Sequence, residues 1–149
     1  MSQPLSENQR VEAAIERFNI WINKAGLDTK KHQLDAMRWC LRHELSERAQ
    51  DGIRGGLVAD EMGLGKTIVM LGLICSNFRS SGTLIILPPA LLDQWSKIIE
   101  RFFGHEPAVY HGRTLKKYKA KMEAKETIPI MITTYGILMT RKESDPLFD

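Results

Sequence analysis

From residue 56 onward the sequence alternates short apolar runs with longer helical patterns, and this alternation restricts the fold more than any other feature. Four runs have the length and composition of buried strands: residues 56–59, 83–87, 107–110 and 128–132. Helical patterns follow them at residues 67–78, 91–103 and 114–125 and from Tyr135 onward. Apolar strands separated by helices are typical of a parallel sheet covered on both faces. The sequence therefore predicts an α/β fold with a parallel sheet and helices on both faces.

The N-terminal third has the pattern of two amphipathic helices that precede this sheet. Ser6 and Gln9 have the spacing of a capping box, in which each side chain binds a free backbone amide of the first turn. Two apolar stripes at helical spacing follow, namely Val11, Ile15, Phe18 and Ile22, and then Leu34, Met37, Leu41 and Leu45. Gly26 is expected to end the first helix, and residues 51–52 the second. We therefore divide the chain into helices at residues 1–52 and an α/β region at residues 53–149.

Composition limits the classes of function. The 149 residues suffice for a domain with its own core, and the net charge of +3 provides no global polycation for nucleic acid. No apolar run approaches the ~20 residues of a spanning helix, and the N-terminus does not resemble a signal peptide. Two isolated cysteines and four scattered histidines show no metal-ligand spacing. We therefore expect a soluble, intracellular protein that has no membrane contact; the pattern does not separate nucleus from cytoplasm.

A glycine-rich loop lies between the first predicted strand and its helix. Its two glycines let successive N–H groups point inward, and the helix start adds its positive dipole end. Lys66 can reach terminal phosphates, and the Thr67 hydroxyl is placed to hold Mg²⁺, so this pair is the candidate catalytic pair. A turn that merely allows tight packing is the alternative, which a Gly-Lys-Thr triplet after a buried strand disfavours. The loop predicted to bind ATP consists of Asp60, Glu61, Met62, Gly63, Leu64, Gly65, Lys66 and Thr67.

The loop departs from the general phosphate-loop motif, because Asp60 stands where that motif has its first glycine. This variant resembles motif I of the Swi/Snf-type DNA translocases, the chromatin-remodelling ATPases of helicase superfamily two. Lys31-His-Gln33 is similar to the upstream glutamine motif of that family, residues 84–95 to motif Ia, and residues 132–135 to motif Ib, while Tyr110-His-Gly112 matches a common spacer. The likeness covers roughly residues 30–140. It implies the first part of a RecA-like, P-loop lobe.

The resemblance also implies roles for residues outside the loop. It implies that the Gln33 amide reads the adenine edge of ATP; a solvated polar residue at a helix start is the alternative. It implies a track for the DNA backbone lined by Pro88, Leu91, Leu92, Asp93, Gln94, Thr133 and Thr134. The two threonines could instead cap the last helix, and both roles can coexist. Trp95 shares a helical face with Leu92 and Ile99, which favours core packing over base stacking.

The predicted helix at residues 114–125 is strongly basic. Beside a stripe of Leu115, Tyr118 and Met122, this segment and the residue before it carry six cations: Arg113, Lys116, Lys117, Lys119, Lys121 and Lys125. A solvated face is the simpler interpretation. Contact with DNA phosphates, which would add affinity without sequence information, is the alternative.

Two parts that the resemblance implies are absent from the sequence. The strand ending in Asp-Glu has no counterpart after Tyr135, because Asp60-Glu61 is the only such pair and belongs to the loop. The second lobe, with its arginine finger, is also absent, and phosphoryl transfer depends on such parts together. We therefore expect a fragment, truncated before the Asp-Glu motif, that is inactive alone. Its expected partners are the missing lobe, weakly bound double-stranded DNA, and further copies that pair with open strand edges.

These features favour the ATP-binding part of a DNA-dependent ATPase that translocates along duplex DNA. A superfamily-two helicase or restriction-type translocase, acting on DNA or RNA, is an alternative. A truncated, non-catalytic binding module with an unused nucleotide pocket is another. The pattern does not indicate the biological target.

Overall fold

The computed structural model describes residues 5–46, 55–61, 63, 65–78, 80–141 and 145–148. The chain divides into two units, residues 1–78 and residues 79–149. The predicted boundary after residue 52 lies outside the described residues and stays a prediction.

The first unit contains three helices: α1 (Glu7–Lys24), α2 (Lys31–Leu45) and α3 (Lys66–Ser76). The predicted capping box begins α1, since the Ser6 N–H donates to Gln9 Oε1 over 2.9 Å and the Gln9 N–H donates to Ser6 Oγ over 3.3 Å. Gly26 follows the helix with a φ of +70°, a left-handed conformation that stops helices. Both predicted N-terminal helices are therefore confirmed, although the end proposed for α2 at residues 51–52 lies outside the described residues.

Helices α1 and α3 approach each other closely at a glycine. A Cβ added to Gly72 would overlap the ring of Phe18, which is fully buried. At the end of α3, the Arg17 Nε donates to the Ser76 carbonyl oxygen over 2.8 Å. The surrounding core consists of Val11, Ala14, Ile15, Trp21, Ile22, Met37, Cys40, Leu41, Val69 and Leu71.

The prediction of a strand at residues 56–59 is wrong. These residues have no regular secondary structure, and Leu57 is 84% exposed. An apolar run becomes a strand only where a neighbouring strand pairs its N–H and C=O groups, and in the sheet that the structure describes no strand pairs with this segment. The apolar pattern alone carried no information about such a partner.

The second unit contains a three-stranded parallel sheet. Its strands are β1 (Thr83–Leu87), β2 (Ala108–Val109) and β3 (Ile130–Thr134), in the spatial order β1-β3-β2. The helices are α4 (Leu92–Phe103), α5 (Leu115–Glu123) and α6 (Tyr135–Met139). Short 3₁₀ turns cover Pro89–Leu91, Gly112–Thr114 and Pro146–Phe148. This element order confirms the predicted parallel α/β fold.

The central strand is β3, which is buried at all five positions. The connection from β1 to β2 passes over β3, and the connection from β2 returns to it, so the two crossovers run in opposite directions. Because such crossovers are right-handed in nearly all proteins, α4 and α5 cover opposite faces of the sheet. The predicted stripe of α5 packs on one face, where Leu115, Tyr118 and Met122 contact a core of Ala108, Tyr110 and Met131.

Three strand predictions need correction. The strand β2 covers only Ala108–Val109 and not the predicted residues 107–110. The strand β3 begins and ends two residues later than the predicted 128–132, so that it includes Thr133 and Thr134. The strand β1 has the predicted bounds but is not fully buried, since Leu84 is 40% exposed.

Across the described residues, no helix combines the length and the hydrophobicity required to cross a membrane.

Candidate functional site

The glycine-rich loop leads directly into α3. Gly63 and Gly65 have φ values of +86° and +81°, a region that residues with a Cβ rarely adopt. Gly65 is the N-cap of α3 and has no side chain that could accept from the N–H groups of the first turn. Those N–H donors and the positive end of the helix dipole therefore face the loop. The first turn of α3 contains no acidic side chain that would offset this positive potential. Met62 and Leu64, also predicted in this site, lie outside the described residues.

The side chain of Lys66 folds back over the loop. Its Nζ donates to the carbonyl oxygens of Asp60, over 2.5 Å, and of Glu61, over 2.9 Å. The carboxylates of these two acids belong to exposed residues, and Thr67 follows Lys66 in a half-buried position. The ammonium thus lies at the centre of the loop, held by dipoles rather than by a full negative charge.

Gln33, from the first turn of α2, packs against this loop. The residue is only 5% exposed, and a Cβ added to Gly65 would lie 2.5 Å from its Nε2 atom. Gln33 is therefore not the solvated residue of the alternative interpretation. The fold brings the predicted adenine-reading amide and the predicted phosphate loop into direct contact, although separate helices carry them.

A cavity of about 360 Å³ adjoins Lys66. Its wall includes Trp39 and His43, whose ring centroids are 4.2 Å apart, and a Cβ added to Gly56 would overlap the Trp39 indole. The other lining residues are Cys40, Glu44, Gly55, Val58, Met70 and Leu73.

Two further residues of this wall need comment. Burial raises the pKa of the Cys40 thiol, and the negative charge of Glu44 raises it further, so the thiol stays protonated at neutral pH. Sequence reasoning missed Trp39; the glycine pair before the apolar run at residues 57–59 was the available signal, since such pairs mark a close approach.

In the second unit, the residues predicted to contact DNA lie at one edge of the sheet. Leu87 at the end of β1 pairs with Thr134 at the end of β3, so the segments that follow the two strands leave from the same edge. Pro88, Asp93 and Gln94 are exposed there, as is Leu91 at 36%, whereas Leu92 is buried. Carboxyl edges of parallel strands are where α/β proteins place their ligands.

The two threonines of this edge have structural partners. Thr133 is fully buried, and its hydroxyl donates to the Tyr110 carbonyl oxygen over 2.8 Å. Thr134 Oγ1 accepts from the Ile137 N–H over 3.4 Å and caps α6, which confirms the capping alternative for this residue. A contact of either threonine with DNA stays a prediction.

Trp95 lies on the apolar face of α4. Leu92 and Ile99 of the same face are buried, and Trp95 itself is half-buried. The buried neighbours of Trp95 on this helix face agree with the prediction that Trp95 packs in the core and does not stack on a base.

Several cations of the basic segment are paired. Lys121 Nζ lies 2.8 Å from Glu126 Oε2, and Lys119 Nζ lies 4.0 Å from Oδ2 of Asp145, a carboxylate that is only 6% exposed. Burial, and next the charge of Asp145, raises the pKa of the neighbouring Tyr110 hydroxyl. Four other cations of the segment are exposed, namely Arg113, Lys116, Lys117 and Lys125.

Over the described residues, no three His, Cys, Asp or Glu side chains form a group that could hold a metal ion.

Comparison with known proteins identifies one family. Residues 32–147 match the family described as SNF2-related domain. An ATP-dependent helicase of Schizosaccharomyces pombe is 34% identical over 126 residues, which cover 80% of this chain and 12% of that protein. The DNA repair protein RAD5 of Debaryomyces hansenii is 37% identical over 110 residues, covering 58% and 9%. The ATP-dependent DNA helicase DDM1 of Arabidopsis thaliana is 32% identical over 124 residues, covering 76% and 15%. The chain thus spans only 9% to 15% of the length of these relatives.

Proposed function

The chain belongs to the SNF2-related domain family, and from this premise we propose that it is the ATP-binding part of a Swi/Snf-type, DNA-dependent ATPase. The observation that carries the proposal is the contact between Gln33 and Gly65. It places a buried amide beside a loop whose glycines, lysine and helix start have the properties of a triphosphate site.

In this proposal the loop binds the terminal phosphates of ATP. The free N–H groups at the start of α3 donate to phosphate oxygens, and Lys66 exchanges the carbonyl oxygens of Asp60 and Glu61 for the charged oxygens of the ligand. The Thr67 hydroxyl would supply one oxygen ligand to a Mg²⁺ ion bound with the phosphates. ATP supplies the phosphoanhydride bond whose hydrolysis would drive movement along DNA.

Duplex DNA is the proposed partner, because relatives are named as a DNA repair protein and a DNA helicase. The exposed residues at the carboxyl edge of the sheet, Pro88, Leu91, Asp93 and Gln94, support this partner by their position, whereas Thr133 and Thr134 at the same edge are buried. Asp93 is an acid, but its carboxylate is neutralised by Lys97 Nζ at 2.8 Å. The contact would be with the DNA backbone and therefore independent of sequence.

We further propose that this chain binds ATP without hydrolysing it. Residues 136–149 contain no Asp-Glu pair, and residues 1–149 do not include the second-lobe arginine finger, a residue worth about 10³–10⁵ in rate. In the described sheet β1 pairs only with β3, so its other edge offers unpaired backbone groups to a further copy of the chain or to a second lobe.

Phosphate release in the presence of saturating duplex DNA tests the absence of turnover. We expect wild type and Lys66→Ala to release phosphate at the same background rate. A DNA-stimulated rate that Lys66→Ala abolishes would show that the chain contains a catalytic acid we have not identified. Light scattering across a dilution series tests self-association, and a monomer at every concentration would exclude pairing through β1.

A further inference from the structure

The second unit contains a cavity that the proposed function does not use. It has a volume of about 610 Å³ and opens where residues 80–84 and 125–128 lead into β1 and β3. This is the amino-terminal edge of the sheet, opposite the edge that carries the predicted DNA-contacting residues. Its size falls in the range of roughly 300–1,000 Å³ that small-molecule sites occupy.

The floor of the cavity is apolar. Met122 of α5, Met131 of β3, Ile128 and Leu147 line it, and all four belong to the apolar cluster of this face. The two methionines are unbranched and polarizable, so they adapt to the shape of an apolar or aromatic group. The floor thus suits the hydrocarbon body of a ligand rather than a hydrated ion.

The rim carries one uncompensated charge among its described residues. Lys125 and Glu126 both line the opening, but the Glu126 carboxylate is paired with Lys121 Nζ at 2.8 Å. Lys125 forms none of the ion pairs found among the described residues and is exposed. The remaining rim residues, Ser80, Ser81 and Thr127, are neutral hydrogen-bonding groups. The electrostatic balance of the opening therefore favours a negatively charged group.

The backbone of Lys125 adds an independent observation. With a φ of +54°, it is the one non-glycine residue with a positive φ in the described parts of the chain. It ends α5 in the position where helices prefer glycine: its N–H donates to the Met122 carbonyl oxygen over 2.9 Å, and the Glu126 N–H donates to that of Lys121 over 3.0 Å. A side chain in this conformation is strained, and such strain is concentrated at ligand-binding sites.

We propose that this cavity binds a small amphipathic anion, with an aromatic or aliphatic body on the methionine-lined floor and a carboxylate at Lys125. Lys125 supplies the cation, and Ser80, Ser81 and Thr127, which line the same cavity, supply hydroxyl donors. The cavity shares no residue with the proposed ATP site, so a negative result for this proposal would leave the proposed function untouched.

The test uses 2-naphthoate as the probe and the whole chain labelled with carbon-13 at its methionine methyl groups. Titration should shift the signals of Met122 and Met131, which substitution of each methionine by leucine assigns, and should leave most of the other five of the seven methionines unchanged. The uncharged 2-naphthamide should bind about tenfold more weakly, because it offers Lys125 no charged acceptor. A response confined to other methionines, or equal affinity for the two compounds, would overturn the proposal.

Lys125→Gly is the informative variant, because glycine fits the left-handed conformation and the variant should fold at least as well as wild type. We expect it to bind 2-naphthoate about tenfold more weakly and to bind 2-naphthamide as wild type does. Lys117→Ala, an exposed cation on the same helix that does not line the cavity, is the matched control and should bind both compounds normally. Unchanged naphthoate affinity in Lys125→Gly would contradict the assigned role of Lys125.

Discussion

Lys66 donates its ammonium protons to two backbone carbonyl oxygens, neither of which carries a full charge. An ammonium group is attracted to a charged phosphate oxygen by a Coulomb interaction between full charges, which a neutral carbonyl oxygen does not offer. A phosphate that enters the loop therefore competes well for Lys66, and the two carbonyl oxygens are exposed to water when it leaves them. The residue thus has an observed partner in the unliganded chain and a stronger one in the proposed complex.

Gln33 provides a test of base recognition at the same scale. An amide side chain donates and accepts in a pattern that matches adenine and that guanine reverses. With net hydrogen-bond energies of about 0.5–1.5 kcal/mol each, Gln33→Ala should lower ATP affinity about tenfold and leave GTP affinity nearly unchanged. Competition binding with both nucleotides measures the two effects.

Gln94→Ala, an exposed amide distant in sequence from the loop, is the control for that experiment and should leave both affinities unchanged. An equal loss for ATP and GTP in Gln33→Ala would mean that Gln33 only supports Gly65. The contact between the two residues makes that outcome a real alternative, because truncation leaves a gap beside the loop.

At the scale of the elements, local patterns predicted most of the structure. The capping box at Ser6 and the strand β1 have the predicted bounds, and α4 begins one residue after the predicted start, behind a 3₁₀ turn. The strand β3 was predicted two residues early, because Thr133 and Thr134 are polar although both are buried in the sheet. Hydrophobic pattern does not register a polar side chain whose hydroxyl is satisfied inside the core.

Contacts between distant segments were not predictable in this way. The segment at residues 56–59 has the pattern of a strand but forms none, and Leu57 is exposed, because pairing depends on a neighbour that the local sequence does not specify. The Gly-Lys-Thr triplet predicted the loop, whereas the Gly55-Gly56 pair indicated only a close approach and did not identify Trp39 as the residue that packs on Gly56. The position of Lys125 at a left-handed helix end was equally hidden, since glycine is the usual signal there.

The packing of α1 on α3 gives a prediction for stability. In Gly72→Ala the new Cβ would overlap the ring of Phe18, which is fully buried and cannot move away without displacing its neighbours. Overpacking of this kind costs roughly 1–3 kcal/mol in the free energy of unfolding, and the better helix propensity of alanine offsets only part of it. Urea denaturation monitored by circular dichroism measures the loss.

The same substitution at Gly136 in α6 is the control, because an added Cβ there meets no atom within 4 Å. Gly136→Ala should be neutral or slightly stabilising. If Gly72→Ala were as stable as wild type, the close approach of α1 and α3 would not exist in solution.

At the scale of the whole molecule, the chain corresponds to a small part of its relatives, between 9% and 15% of their length. The proposed DNA contacts come from one sheet edge, and the net charge is only +3. Affinity for duplex DNA should therefore be weak, independent of sequence and dominated by phosphate contacts, which lose strength steeply with salt.

Fluorescence anisotropy of a short labelled duplex checks this expectation. Binding should be measurable at low salt and nearly absent near physiological ionic strength, ~0.15 M. Two duplexes of unrelated sequence serve as controls for each other and should bind equally. Salt-resistant binding to only one of them would indicate base recognition, which nothing in the described sheet edge provides.

The central claim, that the loop around Lys66 binds the triphosphate of ATP, is tested most directly by calorimetric titration with ATP and Mg²⁺. Charge-assisted contacts are worth roughly 1.5–3 kcal/mol, so Lys66→Ala should weaken ATP binding by about one to two decades. Lys24→Ala, which removes an exposed lysine in the last turn of α1, is the matched control and should bind as wild type does. Equal ATP affinity in wild type and Lys66→Ala, or no binding by wild type, would contradict the claim.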